Sequence, residues 1–356
     1  MEHIGIDLGA SRSSICIVSS AGEVTRETTG DTRKLCSFLG KRAPARVVIE
    51  SCAESRKVAL MTLELGHEVK VVPTTFVRAL GIGTRRIKTD KRDARNLALA
   101  SFRMADALPH VHVRSDEAAY KKELLSSRDN LISLRTKAIN FVRASLRRQL
   151  KPRFGRAPNS FCATVRELLE DVPLEIETHL TVIETLNEQI KALDHSIRKL
   201  AKADEDAQRL QKISGVGPIV ALGFLATIDQ PERFASGANV ASYLGLSPGE
   251  NTTGGNVRRT GIIAAGQRQM RALLVQAAHS MMNSRRTTEP MAAWARELEL
   301  KRGRKVAVCA LARRLAVVMW AMLRDGSRYD ATLTKPRPKP STQQIVADLI
   351  RTPATT

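Results

Sequence analysis

Four acidic side chains in the first hundred residues have the types and the positions that a divalent metal ion requires. Asp7 and Glu50 each end a short apolar run, whereas Asp90 and Asp93 stand at the start of a helical stretch. The three-residue spacing of the two aspartates places both carboxylates on one face of a helix. If this helix packs beside the two strand ends, the four carboxylates converge, and Mg²⁺, which prefers oxygen ligands, relieves their mutual repulsion. Because two such ions can clamp the attacking and leaving oxygens of a phosphodiester, the pattern predicts metal-dependent cutting of a nucleic acid.

Each of these acids also has a simpler interpretation when it is taken alone. Asp90 can cap the helix, and Asp93 is a favourable charge in its first turn. Glu50 can be a solvated strand end, and Asp7-Leu8-Gly9 also resembles the phosphate-loop acid of sugar-kinase folds. The four acids together, in this order and on these elements, favour the metal site.

A glycine-rich stretch in the last third of the chain carries hydroxyl groups. Ser247 stands before Pro248, and Thr252 and Thr253 stand directly before Gly254-Gly255. A hydroxyl group can be a nucleophile. It can equally belong to a polar turn in which it hydrogen-bonds the backbone.

Other candidate residues bind nucleic acid rather than react with it. In Gly215-Val216-Gly217-Pro218, between two helical stretches, both glycines can take positive φ angles and bring amide groups to a phosphate, although a plain tight turn fits equally well. Guanidinium groups suit phosphate oxygens. The predicted nucleic-acid-binding residues are Gly215, Gly217, Arg85, Arg86, Lys88, Arg143, Arg147, Arg148, Arg258, Arg259, Arg268 and Arg271.

The composition agrees with a polyanionic partner. The chain of 356 residues has 57 Lys and Arg against 36 Asp and Glu, a net charge of +21, which predicts binding to nucleic acid before a membrane surface. Aromatic residues make up only 4%, so phosphate contacts are expected more than base stacking. There is no run of about 18 apolar residues. The five cysteines lack zinc-ligand spacing and the start is not a signal peptide, so we expect a protein of a reducing cytoplasm.

The elements that position these residues change in type along the chain. Short apolar runs alternate with helical stretches in the first hundred residues, which predicts a mixed α/β sheet. The predicted strands are 4–8, 13–18, 23–28, 46–49 and 69–72, and the predicted helices are 55–65 and 90–105. Helical patterns follow, first a long basic helix over 121–150. Residues 174–210 step in heptads, which predicts either a coiled coil or an amphipathic helix packed within one chain.

The order Asp7, Glu50, Asp90, Asp93 resembles the DEDD set of a RuvC-like, ribonuclease-H-type domain. Four further segments closely resemble one group of insertion-sequence transposases, family one-ten, the bridge-RNA-guided recombinases. They are the phrase at residues 87–94, the segment at 243–248, and the two segments at 251–255 and 258–262, which read IKTDKRDA, YLGLSP, NTTGG and RRTGI. The resemblance covers almost the whole chain.

The resemblance implies an architecture and a nucleophile. Together with the sequence patterns, it predicts a RuvC-like catalytic domain over 1–110, a basic helix and coiled-coil connector over 111–210, and an all-α transposase domain with a helix-hairpin-helix-like start over 211–330. Residues 331–356 are predicted to be a flexible tail, because the stretch KPRPKP at 335–340 is too rich in proline and charge to pack. The family's nucleophilic serine corresponds here to Thr253, whose extra methyl group crowds an in-line attack. Thr252 and Ser247 remain the alternatives. Residues 306–323 are predicted to form a core helix.

The resemblance also implies a reaction and partners. Mg²⁺ at the four acids polarises the scissile phosphate, a protein hydroxyl forms a covalent link to DNA, and a DNA hydroxyl then reseals the strand without ATP. A homodimer or homotetramer and a structured guide RNA are implied as partners, and a nucleoid-associated location in a prokaryote is implied as well. The alternative is a RuvC-like nuclease that uses the same acids to activate water, and a third hypothesis is a non-catalytic nucleic-acid binder.

Overall fold

The computed structural model divides the chain into two compact units, Met1–Ser115 and Asp116–Thr356. It describes residues 1–79, 89–148, 157–169, 171–253, 256–263, 265–284 and 289–334, and at 78–79, 250–253, 256–260 and 333–334 it describes the backbone only. Arg85, Arg86, Lys88 and the tail from residue 335 lie outside the described residues. The predicted end of the first domain, residue 110, lies shortly before the division between the units, and the boundaries at 210/211 and 330/331 stay predictions.

The first unit is built on a five-stranded sheet with the strand order β3-β2-β1-β4-β5. The first three strands in the chain pair antiparallel, and β1, β4 and β5 pair parallel. The elements are β1 (His3–Asp7), β2 (Arg12–Val18), β3 (Val24–Asp31), α1 (Leu35–Leu39), β4 (Arg46–Glu50), α2 (Ser55–Glu64), β5 (Glu68–Val72), α3 (Thr74–Ala79) and α4 (Asp90–Met104). The mixed α/β sheet is therefore confirmed. The sequence patterns did not predict α1 and α3, which are five and six residues long.

Different helices cover the two faces of this sheet. On one face, Ile6 and Ile49 pack with Leu39 of α1. On the other face, Cys16 packs with Ala98 of α4. Because side chains alternate along a strand, the residues that neighbour Ile6 and Ile49 in sequence face α4.

The second unit is mainly helical. Its elements are α5 (Asp116–Arg148), α6 (Phe161–Leu168), α7 (Leu174–Ala203), α8 (Glu205–Leu210), α9 (Pro218–Ile228), α10 (Gly237–Tyr243), β6 (Pro248–Thr253), β7 (Asn256–Ile262), α11 (Arg268–Asn283), α12 (Pro290–Arg302) and α13 (Arg304–Asp325). The prediction of an all-α domain is wrong at β6 and β7, which form a two-stranded antiparallel sheet. The physical reason is the Gly-Gly pair at 254–255, a hairpin signal, between segments with β-branched residues.

The heptad helix α7 pairs with α5 of the same chain. The two helices run antiparallel, because Lys121 Nζ lies 2.5 Å from Asp204 Oδ2 and Arg135 Nη1 donates to Asn187 Oδ1 at 2.8 Å. The heptad residues Ile176, Leu180 and Ile183 are buried in one cluster with residues of α5 and α6. Of the two predicted alternatives, the structure has the helix packed within one chain. The helix ends at Ala203 rather than at 210, because the Asp204 side chain caps α8 by accepting from Ala207 N.

One buried core contains the start of α5, the end of α7 and the C-terminal helices. Leu125 and Ile197 belong to the same buried cluster as Leu311 and Trp320 of α13. Among the described ranges, α13 is the one helix long and apolar enough by length and composition to cross a membrane, and half of that stretch is buried inside the unit. The prediction of a core helix at 306–323 is confirmed.

Candidate functional site

Asp7 and Glu50 lie side by side at one edge of the sheet. In the parallel pair β1 and β4, Ile6 is opposite Ile49, and each acid is the next residue of its strand. Neighbouring strands are about 4.8 Å apart. Both acids are half-buried, and both follow residues that face α1, so both are on the face that α4 covers.

Helix α4 runs antiparallel to β1 and brings its start to the same edge. At the beginning of the strand, His3 Nδ1 and Ser101 Oγ are hydrogen-bonded at 2.8 Å. Two residues further on, Gly5 lies so close to α4 that an added Cβ would overlap the carbonyl oxygen of Ala94. Residue 3 of the strand thus contacts residue 101 of α4, and residue 5 contacts residues 94 and 98. Continuing this order to Asp7, we expect it to lie beside the first turn of α4.

Asp90 and Asp93 occupy this first turn in different surroundings. Asp90 is the first residue of α4 and is exposed, and Thr89, not Asp90, is the N-cap. Asp93 is only 2% exposed. A carboxylate buried at a helix start is unusual for an acid that merely keeps a surface soluble. We call Asp7, Glu50, Asp90 and Asp93 the acidic edge.

The donor chemistry of the acidic edge suits a hard divalent cation, since all four groups are carboxylates. Within the part of the chain that the structure describes, however, no three Asp, Glu, His or Cys side chains form a ready-made group for one metal ion. The backbones of β1, β4 and α4 converge, whereas the carboxylates of the described residues do not surround one metal position. The predicted cage of four acids stays a prediction.

The structure adds two arginines that the sequence patterns did not single out. Asp7 is opposite Ser14 of β2, and Arg12 lies two residues beyond it at the same edge, opposite Asp31. Arg12, Asp31 and Arg33 line a cavity of about 470 Å³. Both arginines are exposed. They become neighbours only when β2 and β3 pair, and the one signal in the sequence is that Arg12 closely follows Asp7-Leu8-Gly9.

The Gly-x-Gly turn lies between α8 and α9, as predicted, but its two glycines differ. Gly215 has a φ of +82°, and an added Cβ would lie 2.7 Å from the carbonyl oxygen of Ala277 in α11. Gly217 has a φ of −95° and is the N-cap of α9, so the expectation of a positive φ is wrong there. The turn borders a cavity of about 350 Å³ that Arg128 and Arg198 also line. Close packing explains Gly215, and phosphate binding by the turn stays a prediction.

The candidate hydroxyls lie at opposite ends of β6. Thr252 and Thr253 are opposite Val257 and Asn256 next to the hairpin connection. Ser247 directly precedes the strand, and Arg313 Nη1 donates to its Oγ at 3.4 Å. At about 3.3 Å per residue, Ser247 is roughly 20 Å from Thr253 along the strand. The two positions therefore cannot serve one reacting phosphate interchangeably.

The base of this hairpin is fixed by Arg271. Its Nη1 donates to the carbonyl oxygens of Leu244 at 3.2 Å and Ala265 at 2.9 Å. Arg271 thus has a structural role, and its predicted contact with nucleic acid stays a prediction. Arg258 and Arg259 lie on β7 opposite residues 251 and 250.

The remaining predicted basic residues differ in exposure. Arg147 and Arg148 are exposed at the end of α5, and Arg268 is exposed at the start of α11. Arg143 is half-buried, with its Cζ 5.3 Å from the centre of the Phe161 ring. The three exposed arginines are accessible to a phosphate group.

Two transposase family models match the chain. A transposase model of the DEDD, IS110 type matches residues 4–150, and a model described as "Transposase IS116/IS110/IS902 family" matches residues 207–293. The first range contains the acidic edge, and the second contains the Gly-x-Gly turn and the hairpin. A DEDD transposase domain indicates a dependence on divalent metal, and a transposase acts on DNA.

Proteins of several bacteria, transposases among them, are similar to this chain over most of their length. The transposase for insertion sequence element IS1328 of Yersinia enterocolitica is 28% identical over 92% of this chain and 98% of its own length. The transposase for insertion sequence element IS1111A of Coxiella burnetii is 24% identical over 92% of this chain and 91% of its own length. The pilin gene-inverting protein of Moraxella lacunata is 23% identical over 92% and 97%. The chain therefore belongs to the IS110/IS116 family of transposases and is a DNA transposase or recombinase.

Proposed function

We propose that this transposase is a Mg²⁺-dependent recombinase with a RuvC-like first domain, in which the acidic edge handles the scissile phosphate and a hydroxyl of the second unit attacks it. The observation that carries the proposal is the close approach of Gly5 to Ala94, with α4 antiparallel to β1. This packing puts an acid-bearing helix start beside two acid-bearing strand ends. The sheet order, with those two strands adjacent and parallel, supports the RuvC-like assignment.

The four acids have distinct parts in this proposal. Asp7, Glu50 and Asp93 would hold Mg²⁺, and Asp90, which is exposed, would complete the set. When bound, the ions would supply Lewis-acid polarisation of the phosphate oxygens. Arg12, exposed at the same edge, is suited to hold a neighbouring phosphate of the DNA backbone in position.

The bond-making group in this proposal is the Thr253 hydroxyl. Its Oγ1 attacks phosphorus, loses its proton, and forms a phosphodiester with the DNA, while the bond from phosphorus to the DNA oxygen breaks and leaves a DNA hydroxyl. A second DNA hydroxyl then displaces Oγ1, which regains a proton. The number of phosphodiester bonds is conserved, so no ATP is consumed. The place of Thr253 beside the Gly-Gly connection supports it over Ser247 at the base of the hairpin.

A structured guide RNA and a homodimer or homotetramer complete the proposal. The resemblance to bridge-RNA-guided recombinases supports the RNA, and the net charge of +21 is suited to two polyanions at once. The low aromatic content favours recognition of backbone and helix shape over stacking on single bases.

The test is the formation of a covalent protein–DNA adduct. The full-length protein is incubated with Mg²⁺, the RNA that co-purifies with it, and labelled DNA from either side of its gene. We expect a labelled adduct that resists denaturant, that Thr253→Ser retains and that Thr253→Ala loses. Ser247→Ala is the matched control and should retain the adduct.

The other outcomes separate the alternative functions. Cutting that depends on Asp7 but leaves no adduct would indicate a nuclease that activates water. An adduct that persists in Thr253→Ala but is lost in Thr252→Ala would move the nucleophile by one residue. Binding without any cutting, unaffected by Asp7→Asn, would contradict catalysis altogether.

A further inference from the structure

A second basic surface lies on the first unit, away from the acidic edge. It is a groove of about 660 Å³ between β3, the helix α1 and the loop that leads to β4. Four cationic side chains line it, against the single carboxylate of Glu2. These cations are Arg26, Lys34, Lys41 and Arg42. We call this surface the α1 groove.

The α1 groove and the acidic edge are at opposite ends of β1. Glu2, which lines the groove, precedes the strand, and Asp7 ends it. Five residues of strand at about 3.3 Å each separate them by roughly 16 Å. The groove also involves α1, which covers the other face of the sheet from α4. A ligand in the groove therefore contacts none of the four acids.

An aromatic ring organises the cations of the groove. Phe38 packs its inner side against the core of the sheet. The Cζ atoms of Arg42 and Arg26 lie 5.1 Å and 5.8 Å from the centre of its ring. Such cation–π contacts hold a guanidinium near the ring while its N–H groups can still donate to a ligand. Arg42 also has an ion pair within the groove, with Glu2 Oε2 at 2.7 Å.

We propose that the α1 groove binds the phosphodiester backbone of a nucleic acid strand. Its open shape, its excess of cations and its exposed Lys34 and Lys41 suit a chain of phosphates rather than an enclosed small molecule. The two arginines fixed over Phe38 offer a stationary pair of donors, and the two lysines offer mobile charges beside them. The inference goes beyond the recombinase proposal, because it uses none of the acids or hydroxyls and requires no cutting.

The test is the salt dependence of binding in the absence of divalent metal. The full-length protein in EDTA is titrated with 20-nucleotide single-stranded DNA, single-stranded RNA of the same sequence, and duplex DNA. Each phosphate contact contributes about 0.7–0.9 to the slope of log affinity against log salt concentration. The double variant Lys34→Ala/Lys41→Ala should therefore lower the slope by about 1.5 for the strand that occupies the groove. Phe38→Leu, which keeps an apolar side chain, should lower the affinity for that same nucleic acid about two- to fivefold.

The matched control removes the same charge elsewhere on the first unit. Lys57 and Arg103 are exposed and do not line the groove, so Lys57→Ala/Arg103→Ala should leave the slope nearly unchanged. A loss confined to DNA, to RNA or to duplex identifies the strand. Equal slopes for the groove variant and the control with all three ligands would overturn the proposal. Because this experiment contains EDTA and measures binding alone, a failure of the recombinase proposal, which is read from cutting and adduct formation, is distinguishable from a failure of the groove.

Discussion

The acidic edge of the first unit and the hydroxyl-bearing hairpin of the second are held in place in different ways. The acids lie at the ends of buried strands and on α4, which packs directly on the sheet. Gly5 of β1 lies close to the carbonyl oxygen of Ala94 in this helix. The threonines stand at the far end of a two-stranded hairpin, which by itself is a marginal structure in water. The hairpin is anchored at its base, where Gly245, with a φ of +68°, lies against the guanidinium of Arg271.

This difference matches the tasks that we propose for the two regions. Ligands for a metal ion must keep their geometry within fractions of an ångström, which a packed sheet and helix provide. A nucleophile that first attacks and is later displaced needs a segment that can approach and withdraw. Substitutions in the first region should therefore act through stability and metal binding together, and those in the second should act mainly on adduct formation.

The largest effect is expected from the acids themselves. Asp7→Asn or Glu50→Gln removes the charge of a proposed metal ligand without changing the size of the side chain. Because metal polarisation supplies several kcal/mol of transition-state stabilisation, cutting should fall by about 10³-fold or more in a gel assay, while DNA binding persists. Glu64→Gln at the exposed end of α2 is the control and should cut normally. Retained cutting in both acid variants would remove the acidic edge from the mechanism.

The next effect tests whether packing positions the acidic edge. Gly5→Ala would drive a methyl group into the Ala94 carbonyl oxygen and to 2.5 Å from the amide nitrogen of Ala98, so α4 must shift. We expect a loss of about 1–3 kcal/mol in the free energy of unfolding and a marked loss of cutting. Gly30→Ala in β3 is the matched control, because nothing lies within 4 Å of its added Cβ.

The measurement must report on the first unit alone. Both tryptophans, Trp294 and Trp320, are in the second unit, so their fluorescence cannot follow the unfolding of the first. Pulse proteolysis across a urea series, read on fragments of the first unit, gives its midpoint. Equal midpoints for Gly5→Ala and Gly30→Ala would show that the close approach of strand and helix is unimportant.

The acidic edge was more predictable from the sequence than the hairpin, for physical reasons. Asp7 and Glu50 follow apolar runs whose lengths already indicate buried strands, so their position at a sheet edge follows from local patterns. Pro248–Thr253 is polar and lacks such alternation, and its strand exists only through pairing with β7. The placing of Arg12 beside Arg33 likewise requires β2 and β3 to pair. The heptads of α7 could not distinguish a partner chain from α5, because both present the same apolar seam.

A smaller effect is expected at the base of the hairpin. Gly245→Ala places a side chain at a left-handed φ and against the Ala265 carbonyl oxygen, at a cost of about 1–3 kcal/mol. Adduct formation should fall severalfold and the urea midpoint from tryptophan fluorescence should decrease, whereas the first unit should unfold as before. Gly261→Ala in β7, where an added Cβ meets nothing within 4 Å, should change neither. A Gly245→Ala protein with normal adduct yield would mean that the hairpin does not depend on this anchor.

The smallest effect concerns the contact that holds the other end of α4. His3 is buried, and burial, followed by the charge of Arg46, lowers the pKa of its imidazole below the ordinary 6.5. The folded state therefore prefers the neutral ring that bonds Ser101. As the pH falls below about 6.5, the unfolded chain binds a proton that the folded chain does not, so the free energy of unfolding falls until the pH passes the lowered pKa.

The first unit should thus have a lower urea midpoint at pH 5 than at pH 7.5, by the same pulse-proteolysis measurement. In His3→Gln this difference should shrink, because the titrating group is gone while a hydrogen-bonding side chain remains. His110→Gln, which changes an exposed imidazole of the same unit, should keep the full difference. If His3→Gln and the wild type lose stability equally between the two pH values, the His3–Ser101 contact does not couple β1 to α4. The alignment of α4 with the acidic edge would then rest on the packing of Gly5 and Cys16 against the helix.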